Sequence, residues 1–522
     1  MRDQLSQRVF LAVAPTLMLA ACAVGPAHRT PAPPADLPAQ FARAAVTQSD
    51  GVPAEVDLEF WRSFQDARLT ALVEQALAAN HDLARALARY DGANALLRES
   101  GFDRLPTVTA NAQGSRTRRT ADEASGQPRT VQRVGGVIEA NWELDFVGRV
   151  RRNIEAHGAE AAASAADLAT LQIAIVGEVA STYVELRGLQ ERLRVALENL
   201  QTQQSTLTLV TTRLDAGRGT VFDTARARAQ LENTASRVPA LETQIAVHQH
   251  RLAVLTGRTP QALIAELGEP TPQLVLPPEV DPGTPAALLR RRPDVRAAEE
   301  RLHAATARVG VATADLFPRV SLGGLIGTFA PDGSGLLRNA SETSSALLGI
   351  DWSFLDVGRV RARIAASEAD AGAALAEYQQ AVLRALENTE NALVQYDRTR
   401  AEDAHLARAA REGDIALQLA RTRMDLGNID LFEVLDTQRT QLAAQDAWAD
   451  SRMRSLRAAV ALHQALAGGW PQLPANSAAA TKSITPVATV DRFTHGESPS
   501  ATVGTAGFHP ATSAPTETTH AR

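Results

Sequence analysis

The chain has a single cysteine, Cys22, among 522 residues, so an intrachain disulfide is excluded. Aromatic residues make up only 4% of the sequence, and no basic patch with interleaved aromatic residues occurs, which argues against nucleic-acid binding. His248 and His250 are two positions apart and do not share a helix face, and no other spacing suggests a metal or catalytic site. The segment Gly323–Gly327 does not lead directly into a helix, so it is not a phosphate loop. We therefore expect neither an enzyme nor a bound cofactor.

Long apolar runs are also scarce. The one candidate, Val9–Ala21, follows the basic residues Arg2 and Arg8 and is too short to span a bilayer, so residues 1–21 are predicted to be a signal peptide. No second run of 18 apolar residues follows, and we therefore expect no transmembrane helix.

The signal segment ends in Leu19-Ala-Ala-Cys22, which resembles a bacterial lipobox. In that pattern the cysteine is lipidated and becomes the first residue of the mature chain, and two or more acyl chains give stable membrane anchoring. The alternative is a small buried cysteine within an ordinary cleavable signal. Ala23, in place of an aspartate, resembles the pattern that sorts lipoproteins to the outer membrane.

The remaining chain contains a tandem duplication. Val147-Gly-Arg-Val-Arg151 returns unchanged as residues 357–361, and Trp142 returns as Trp352 at the same offset of 210 positions. Arg213-Leu-Asp-Ala-Gly217 returns as Arg423-Met-Asp-Leu-Gly427. Each copy therefore encodes one structural unit of roughly 200 residues, and the fold has to be interpreted in those units.

Each unit opens with a pair of helices and then alternates apolar and polar residues with a period of two. The alternation is clearest in 132–146 and 344–354, where even positions are apolar and most odd positions are small or polar. A weaker partner precedes each, at 107–116 and 319–329, across a polar loop that contains glycine. This pattern predicts one β-hairpin per unit and four strands per chain, with one apolar and one polar face.

After the strands, the period becomes helical for about 65 residues. No proline occurs between Arg149 and Leu214, and apolar residues recur at steps of three and four, as in a heptad pattern. A helix of this length extends for about 100 Å, far beyond the average helix, so it is suited to crossing a distance. Glycine turns follow at Gly217 and Gly427, and return helices are predicted to run to about Gly257 and Leu466.

Four strands cannot stand alone in a membrane, because an open sheet leaves edge N–H and C=O groups without partners in hydrocarbon. Membrane barrels contain about eight strands or more. If the hairpins enter lipid, several copies must share one barrel, and cyclic symmetry is expected. The sequence therefore predicts a mainly α fold with membrane β, in which long antiparallel helical hairpins form an α-barrel attached to a shared β-barrel.

Several motifs resemble the outer-membrane factors, the TolC-like efflux channels, and most closely their lipoprotein branch. The resembling segments are Cys22–Pro26 with Pro31, Phe60–Asp66, Leu72–Leu83, Arg290–Glu299, Gly310–Pro318 and Glu433–Asp436. The resemblance covers residues 22 to about 470. It implies a homotrimer with a twelve-stranded barrel in the outer membrane of a Gram-negative bacterium and a helical tunnel across the periplasm. It also implies a periplasmic adaptor and an inner-membrane pump of the resistance–nodulation–division type as partners.

The resemblance also assigns roles to residues near the two glycine turns. Both glycines fit the left-handed conformation that ends a helix, and in the family these turns form the periplasmic mouth and meet the adaptor. The implied contact residues are Arg213, Leu214, Gly217, Thr220, Arg423, Met424, Gly427 and Asp430. Glu433 and Asp436 cap the following helix or, as the family implies, ring the mouth and gate it. Relatives carry an aromatic and an arginine where this chain has Met424 and Ile429, so a contact of Arg423 with an acidic neighbour is expected instead.

Trp142 and Trp352 are predicted to form an aromatic girdle at the membrane interface, with packing against the helical barrel as the alternative. Asp145 and Asp351 are expected to face the lumen where the barrel meets the helices.

The domain boundaries follow from these features. They are a signal peptide (1–21), a lipidated linker (22–55), a first repeat (56–270), a linker (271–285), a second repeat (286–470) and a disordered tail rich in Ala, Thr, Ser and Pro (471–522). The predicted function is a passive outer-membrane conduit that exports small molecules such as drugs for an inner-membrane pump. A conduit for type I protein secretion and a lipid-anchored coiled-coil scaffold without a pore are the alternatives.

Overall fold

The computed structural model describes residues 23–32, 34–42, 59–124, 128–269, 274–277, 281–331 and 333–467. The predicted lipidation site Cys22 and the predicted tail after residue 471 lie outside these residues. The two repeats are visible directly as two copies of a helix pair, a β-hairpin and a long helical hairpin.

Besides the short helices Ala121–Ala124 and Ile264–Gly268, the described part of the first copy contains five longer helices and two strands. They are α1 (Ala67–Ala79), α2 (His81–Phe102), β1 (Thr107–Arg118), β2 (Thr130–Leu144), α3 (Arg149–Asp215), α4 (Val221–Ala235) and α5 (Arg237–Leu255). The second copy has four helices and two strands. They are α6 (Pro285–Arg291), α7 (Pro293–Ala314), β3 (Arg319–Ala330), β4 (Glu342–Asp351), α8 (Val357–Asp425) and α9 (Leu431–Ala465). The predicted order of elements is confirmed in both copies.

The strands form one antiparallel sheet in the order β1-β2-β3-β4. The pairing aligns even-numbered residues with one another across all four strands; one such row is Val108, Ala140, Gly324 and Ala346. Because side chains alternate between the faces of a strand, this register puts the even positions on a single face of the sheet. The predicted apolar face is therefore continuous over both hairpins.

Helices α3 and α8, with 67 and 69 residues, confirm the predicted long helices. The heptad positions of α3 from Leu186 to Leu214 are buried or half-buried, as are the corresponding positions of α8 from Leu406 to Met424. The first return helix differs from the prediction because it breaks between Ala235 and Arg237. Pro239 follows the break; it has no N–H, and its ring would clash with the carbonyl four residues earlier.

The largest core lies in the middle of the helical part, around Val176 and Tyr183 of α3. Phe60, Trp61 and Leu462 of α9 pack into it and are at most 2% exposed. Burial of each such side chain stabilises the fold by about 1.5–3 kcal/mol, so this cluster is a major source of the stability of the helical part.

Helix α3 is also, among the described helices, the one whose length and composition match a membrane span. Its most apolar 18-residue window has a mean hydropathy of 1.3, and 56% of that window is buried inside the protein. The apolar residues of this helix belong to the core just described, so packing between helices explains why the helix is apolar.

The described part of the predicted N-terminal linker contacts the folded repeats at several points. Val24 donates a hydrogen bond to the carbonyl of Val147 at 3.0 Å, and the ring of His28 stacks on that of His303 with centres 4.3 Å apart. Phe41 is 4% exposed and belongs to the main core.

Candidate functional site

The first glycine turn, at the end of α3, closes with two backbone hydrogen bonds. Gly217 donates to the carbonyl of Leu214 at 2.9 Å, and Arg218 donates to that of Arg213 at 2.8 Å. Gly217 has a φ of +73°, whereas a Cβ placed on it would contact nothing within 4 Å. The left-handed backbone alone therefore explains the glycine.

The second turn, at the end of α8, repeats this geometry. Gly427 donates to Met424 and Asn428 donates to Arg423, both at 2.9 Å, and the φ of Gly427 is +74°. We call these two loops, residues 213–220 and 423–430, the tip turns. Their backbones are equivalent, so any difference in their function resides in the side chains.

The helices after the tip turns begin with related caps. The hydroxyl of Thr220 accepts from Asp223 N–H at 3.2 Å, and the Asp223 carboxylate accepts from Thr220 N–H at 3.1 Å, which completes a capping box. In the second copy, Asp430 accepts from Glu433 N–H at 3.1 Å, and the described contacts contain this half of the box only. The Glu433 side chain is thus not engaged as a cap.

The residues predicted to meet an adaptor divide by exposure. Exposed members are Gly217, Thr220, Arg423, Gly427 and Asp430, and half-buried members are Arg213, Leu214 and Met424. Met424 packs with Ile429 against the small cluster of Leu417, Ala420 and Val434. It therefore stabilises the second hairpin from inside.

The two acidic residues after the second tip turn are both accessible. Glu433 is exposed, while Asp436 is half-buried and accepts a hydrogen bond from Arg439 of its own helix at 2.7 Å. The predicted pairing of Arg423 with an acidic neighbour does not form within one chain, because the described residues include no ion pair of Arg423.

A contact that the sequence analysis missed joins the two hairpins at this end. The guanidinium carbon of Arg226, on α4, lies 3.8 Å from the ring centre of Phe432, on α9. This is well within the ~6 Å range of cation–π attraction. No periodicity could have indicated it, since the two residues belong to different repeats.

The two tryptophans occupy equivalent places at the other end of the long helices. The indole N–H of Trp142 donates to the carbonyl of Arg104, and that of Trp352 donates to the carbonyl of Leu316, both at 3.0 Å. Each indole thereby ties the end of a strand to the loop that enters the preceding strand. A tryptophan satisfied in this way can still lie at a membrane interface, so the girdle stays a prediction.

Asp145 has a structural role, and its predicted place in the lumen stays a prediction. Its carboxylate accepts from Val150 N–H at 3.2 Å and from Arg151 N–H at 3.0 Å, so it caps α3. Asp351 ends β4 opposite Arg319 and is exposed, and its predicted place in the lumen stays a prediction.

Together, these elements define a class of protein. An open sheet with one apolar face, continued by helical hairpins of about 100 Å that end in paired tip turns, is the architecture of an outer-membrane export channel subunit.

Comparison with known proteins identifies the family. The sequence profile described as "Outer membrane efflux protein" matches residues 72–258 and 284–468, one match for each repeat. The chain belongs to this family. It is an outer-membrane channel subunit of a tripartite efflux system, and it works with an adaptor and an inner-membrane partner. The family consists of channels and transporters; it is not an enzyme family.

Individual relatives agree over nearly the full length. "Outer membrane protein OprJ" of Pseudomonas aeruginosa is 32% identical over 87% of this chain and 95% of its own. "Pyoverdine export outer membrane protein OpmQ" of Pseudomonas putida is 33% identical, with coverage of 87% and 96%. The solved structure of the outer-membrane channel OprN is 39% identical and superposes with a TM-score of 0.79 over 86% of this chain and all of the other. The fold class and the outer-membrane location predicted from the sequence are thereby confirmed.

Proposed function

We propose that three copies of the chain close a twelve-stranded barrel and export small molecules through it. The observation that carries this proposal is the sheet itself: its order leaves β1 and β4 as open edges. In hydrocarbon, each unsatisfied edge group costs several kcal/mol, so β4 of one copy must pair with β1 of the next.

The long helices support an assembly of several copies. In α3, 27 residues are buried, whereas in α8, of similar length, only 12 are. The exposed large apolar residues of α8 are Val357, Leu375, Leu383, Val394, Ile415 and Leu419. A neighbouring copy covers this face in the proposed trimer, and the α-barrel closes in the same way as the sheet.

The tip turns are the proposed docking site of the adaptor. Beside the exposed polar residues of the turns, three apolar side chains point away from the packed hairpins: Val221, Phe222 and Leu426 are 69–71% exposed. Apolar side chains with a polar rim are typical of a protein interface. We assign the inner-membrane partner to the resistance–nodulation–division type.

Acidic residues define the proposed mouth. Three copies place three Glu433 and three Asp436 side chains near the end of the tunnel, and such rings favour cations. We propose that lipidated Cys22 anchors the chain in the membrane. The next residue, Ala23, packs against Gly148 where β2 meets α3, and this contact holds the anchor at the membrane end of the chain. The substrate class is small molecules, and the relatives do not favour a protein-secretion conduit.

The strand register predicts how copies pair. Thr107 of β1 pairs with Asn141 of β2 in the first hairpin. Their counterparts in the second hairpin, Arg319 of β3 (212 positions later) and Asp351 of β4 (210 positions later), pair with each other as well, so the two hairpins have the same register. The same shifts convert the pairing of Asn141 with Gly323, between β2 and β3, into one between Asp351 and Asn111 of the next copy.

Disulfide cross-linking tests this arrangement. Asp351→Cys with Asn111→Cys should give oxidised dimers and a closed, SDS-resistant trimer on gels, since Cys22 is the only native cysteine. Asp351→Cys with Ser115→Cys is the matched control, because it is four residues out of register, a displacement of about 13 Å. The proposed closure would be contradicted if the protein with Asp351→Cys and Asn111→Cys stayed monomeric after oxidation, or if the control pair cross-linked to the same extent.

A further inference from the structure

The two β-hairpins differ in charge at the ends that lie away from the long helices. Residues 116–133 of the first hairpin contain five arginines and two acidic residues. The corresponding residues 328–343 of the second hairpin contain one arginine and two acidic residues. The long helices continue from the opposite ends of the strands, so in the proposed channel these hairpin ends lie on the outer side of the membrane. The outer end of the first hairpin is thus basic, although the whole chain has a net charge of −6.

Two of these arginines lie on the apolar face of the sheet. Arg116 and Arg118 of β1 are opposite Gln132 and Thr130 of β2, and all four positions are even-numbered. Side chains at even positions share one face, which in the proposed barrel meets lipid. The same face carries the exposed apolar residues Val108, Ile138, Leu322, Ile326, Leu348 and Ile350.

The position of the arginines along the strand places them at a membrane interface. Trp142 and Gln132 are ten positions apart on β2, a distance of about 33 Å along the strand. Strands of membrane barrels are tilted by about 40°, so this distance becomes about 25 Å along the barrel axis, which is the height of the apolar band of such barrels. With Trp142 at the inner interface, as predicted, Arg116 lies at the outer interface, because it is opposite Gln132.

The two arginines are available to a ligand, and the second hairpin has no equivalent of them. Both side chains are exposed, and the ion pairs formed among the described residues include neither of them. Their counterparts are Thr328 and Ala330, and Glu342 takes the place of Gln132. The first hairpin therefore presents two cations to the outer interface where the second presents a carboxylate.

We propose that Arg116 and Arg118 bind the phosphate groups of lipopolysaccharide, the anionic glycolipid of the outer leaflet, with Gln132 and Thr130 as further hydrogen-bonding groups. This inference rests on the proposed trimeric conduit, which has one such site on each protomer. A guanidinium suits this ligand because it donates two parallel hydrogen bonds to a phosphate. The two Cα atoms are about 7 Å apart along one face, so both side chains can reach the same headgroup.

The site lies at the junction between protomers, because β1 is an edge strand. The register proposed for β4 and β1 of the next copy places Ala346 opposite Arg116 and Ser344 opposite Arg118. Both neighbours have small side chains, which leave room for a headgroup beside the arginines. A lipid bound there contacts two copies and is expected to stabilise the closed barrel.

Lipid binding to the purified trimer in a non-ionic detergent tests the site. Arg116→Gln should raise the dissociation constant of fluorescently labelled lipopolysaccharide at least threefold, and Arg116→Gln with Arg118→Gln should raise it at least tenfold. Arg133→Gln is the matched control: it removes one arginine from the same end of the hairpin, but Arg133 is odd-numbered and lies on the opposite face. It should change the dissociation constant less than twofold.

Two further probes test the chemistry of the ligand. Lipopolysaccharide from which the lipid A phosphates have been removed should bind the wild type and the double variant equally. Millimolar inorganic phosphate should not displace intact lipopolysaccharide from the wild type, because the acyl chains of the lipid contact the apolar face below the arginines. Displacement by inorganic phosphate would indicate a site for the free anion and would overturn the assignment to a lipid.

The proposal would also be wrong if the wild type and the double variant bound intact lipopolysaccharide equally, or if Arg133→Gln lost as much affinity as Arg116→Gln. Each variant is compared as an SDS-resistant trimer on gels, so a loss of binding is not a loss of assembly. A wild type that forms no such trimer would refute the conduit itself. A trimer that conducts in planar bilayers but does not distinguish the two faces would refute the lipid site alone.

Discussion

The same five residues, Val-Gly-Arg-Val-Arg, adopt two backbones in this molecule. In the first copy, Gly148 precedes α3 with a φ of +86°, and the helix begins at Arg149. In the second copy, α8 begins at Val357 and Gly358 lies inside its first turn. Because the local sequence is identical, the difference must come from what surrounds it.

The N-terminal segment packs against the first copy of the pentapeptide. A Cβ on Gly148 would lie 2.6 Å from that of Ala23, whereas one on Gly358 would meet nothing within 4 Å. Arg152 adds a hydrogen bond from its Nε to the carbonyl of Val24 at 3.2 Å. These tertiary contacts belong to the first copy, and they act there together with the different residues that precede the pentapeptide.

The largest expected effect comes from substituting the two glycines. Gly148→Ala should destabilise the protein by about 1–3 kcal/mol, because alanine is strained at a positive φ and would collide with Ala23. Gly358→Ala should instead stabilise it by up to about 1 kcal/mol, because the site is helical and open. Guanidinium unfolding followed by circular dichroism measures both. Equal shifts in the two variants would mean that the two junctions do not differ in solution.

The two caps provide an intermediate effect. Asp145→Ala removes a carboxylate that accepts two backbone N–H groups at the start of α3, at a cost of about 1–2 kcal/mol. Asp356→Ala, at the start of α8, removes an exposed ion pair with Arg359 and should change stability by less than about 0.5 kcal/mol. The same unfolding assay ranks them, and an equal cost would show that Asp145 is not the cap that distinguishes the copies.

The smallest effect concerns a pair that the second copy lacks. Nε2 of His248 lies 2.9 Å from the Glu185 carboxylate, whereas the corresponding positions hold Ala458 and Gln395. The hydrogen bond with Glu185 raises the pKa of His248 above its usual 6.5, and the hydrogen bond with His248 lowers the pKa of Glu185.

The sign of the pH dependence follows from these shifts. The contribution of His248 is complete below its unfolded pKa and is lost as pH rises through the raised, folded pKa. That of Glu185 is lost as pH falls through its lowered pKa. His248→Ala should therefore cost most near pH 5.5–6.5, by less than about 1 kcal/mol, and almost nothing near pH 9. A cost that does not vary between these pH values would exclude the ion pair as its source.

Much of the fold could be predicted because the repeats carry strong periodic signals. The four strands, the two helices of nearly 70 residues and the glycine turns all follow from patterns within about 20 neighbouring residues. The tip turns were equally predictable, since a left-handed helix end demands glycine whatever surrounds it.

What could not be predicted depends on distant contacts. The contact of Arg226 with Phe432 joins residues in different repeats, and the first copy of the shared pentapeptide and the helix after it contact a segment more than 120 positions away. The break at Ser236 differs from the predicted continuous return helix, because Pro239 interrupts a helical pattern that is otherwise unbroken. The cap that Asp145 provides could not be predicted from strand alternation, because the strand ends at Leu144 and alternation does not extend beyond it.

The position of the main core has a mechanical consequence for the tip turns. The core surrounds Tyr183, and α3 continues for 32 residues from there to Asp215, a distance of about 48 Å. Among the described residues, the hydrophobic clusters along this arm are small, such as that of Leu189, Ala196 and Leu241. In the proposed trimer the hairpin would act as a lever about the core, and a rotation of 1° there would displace the tip by about 0.8 Å. A few degrees would then change the width of the proposed mouth by several ångströms.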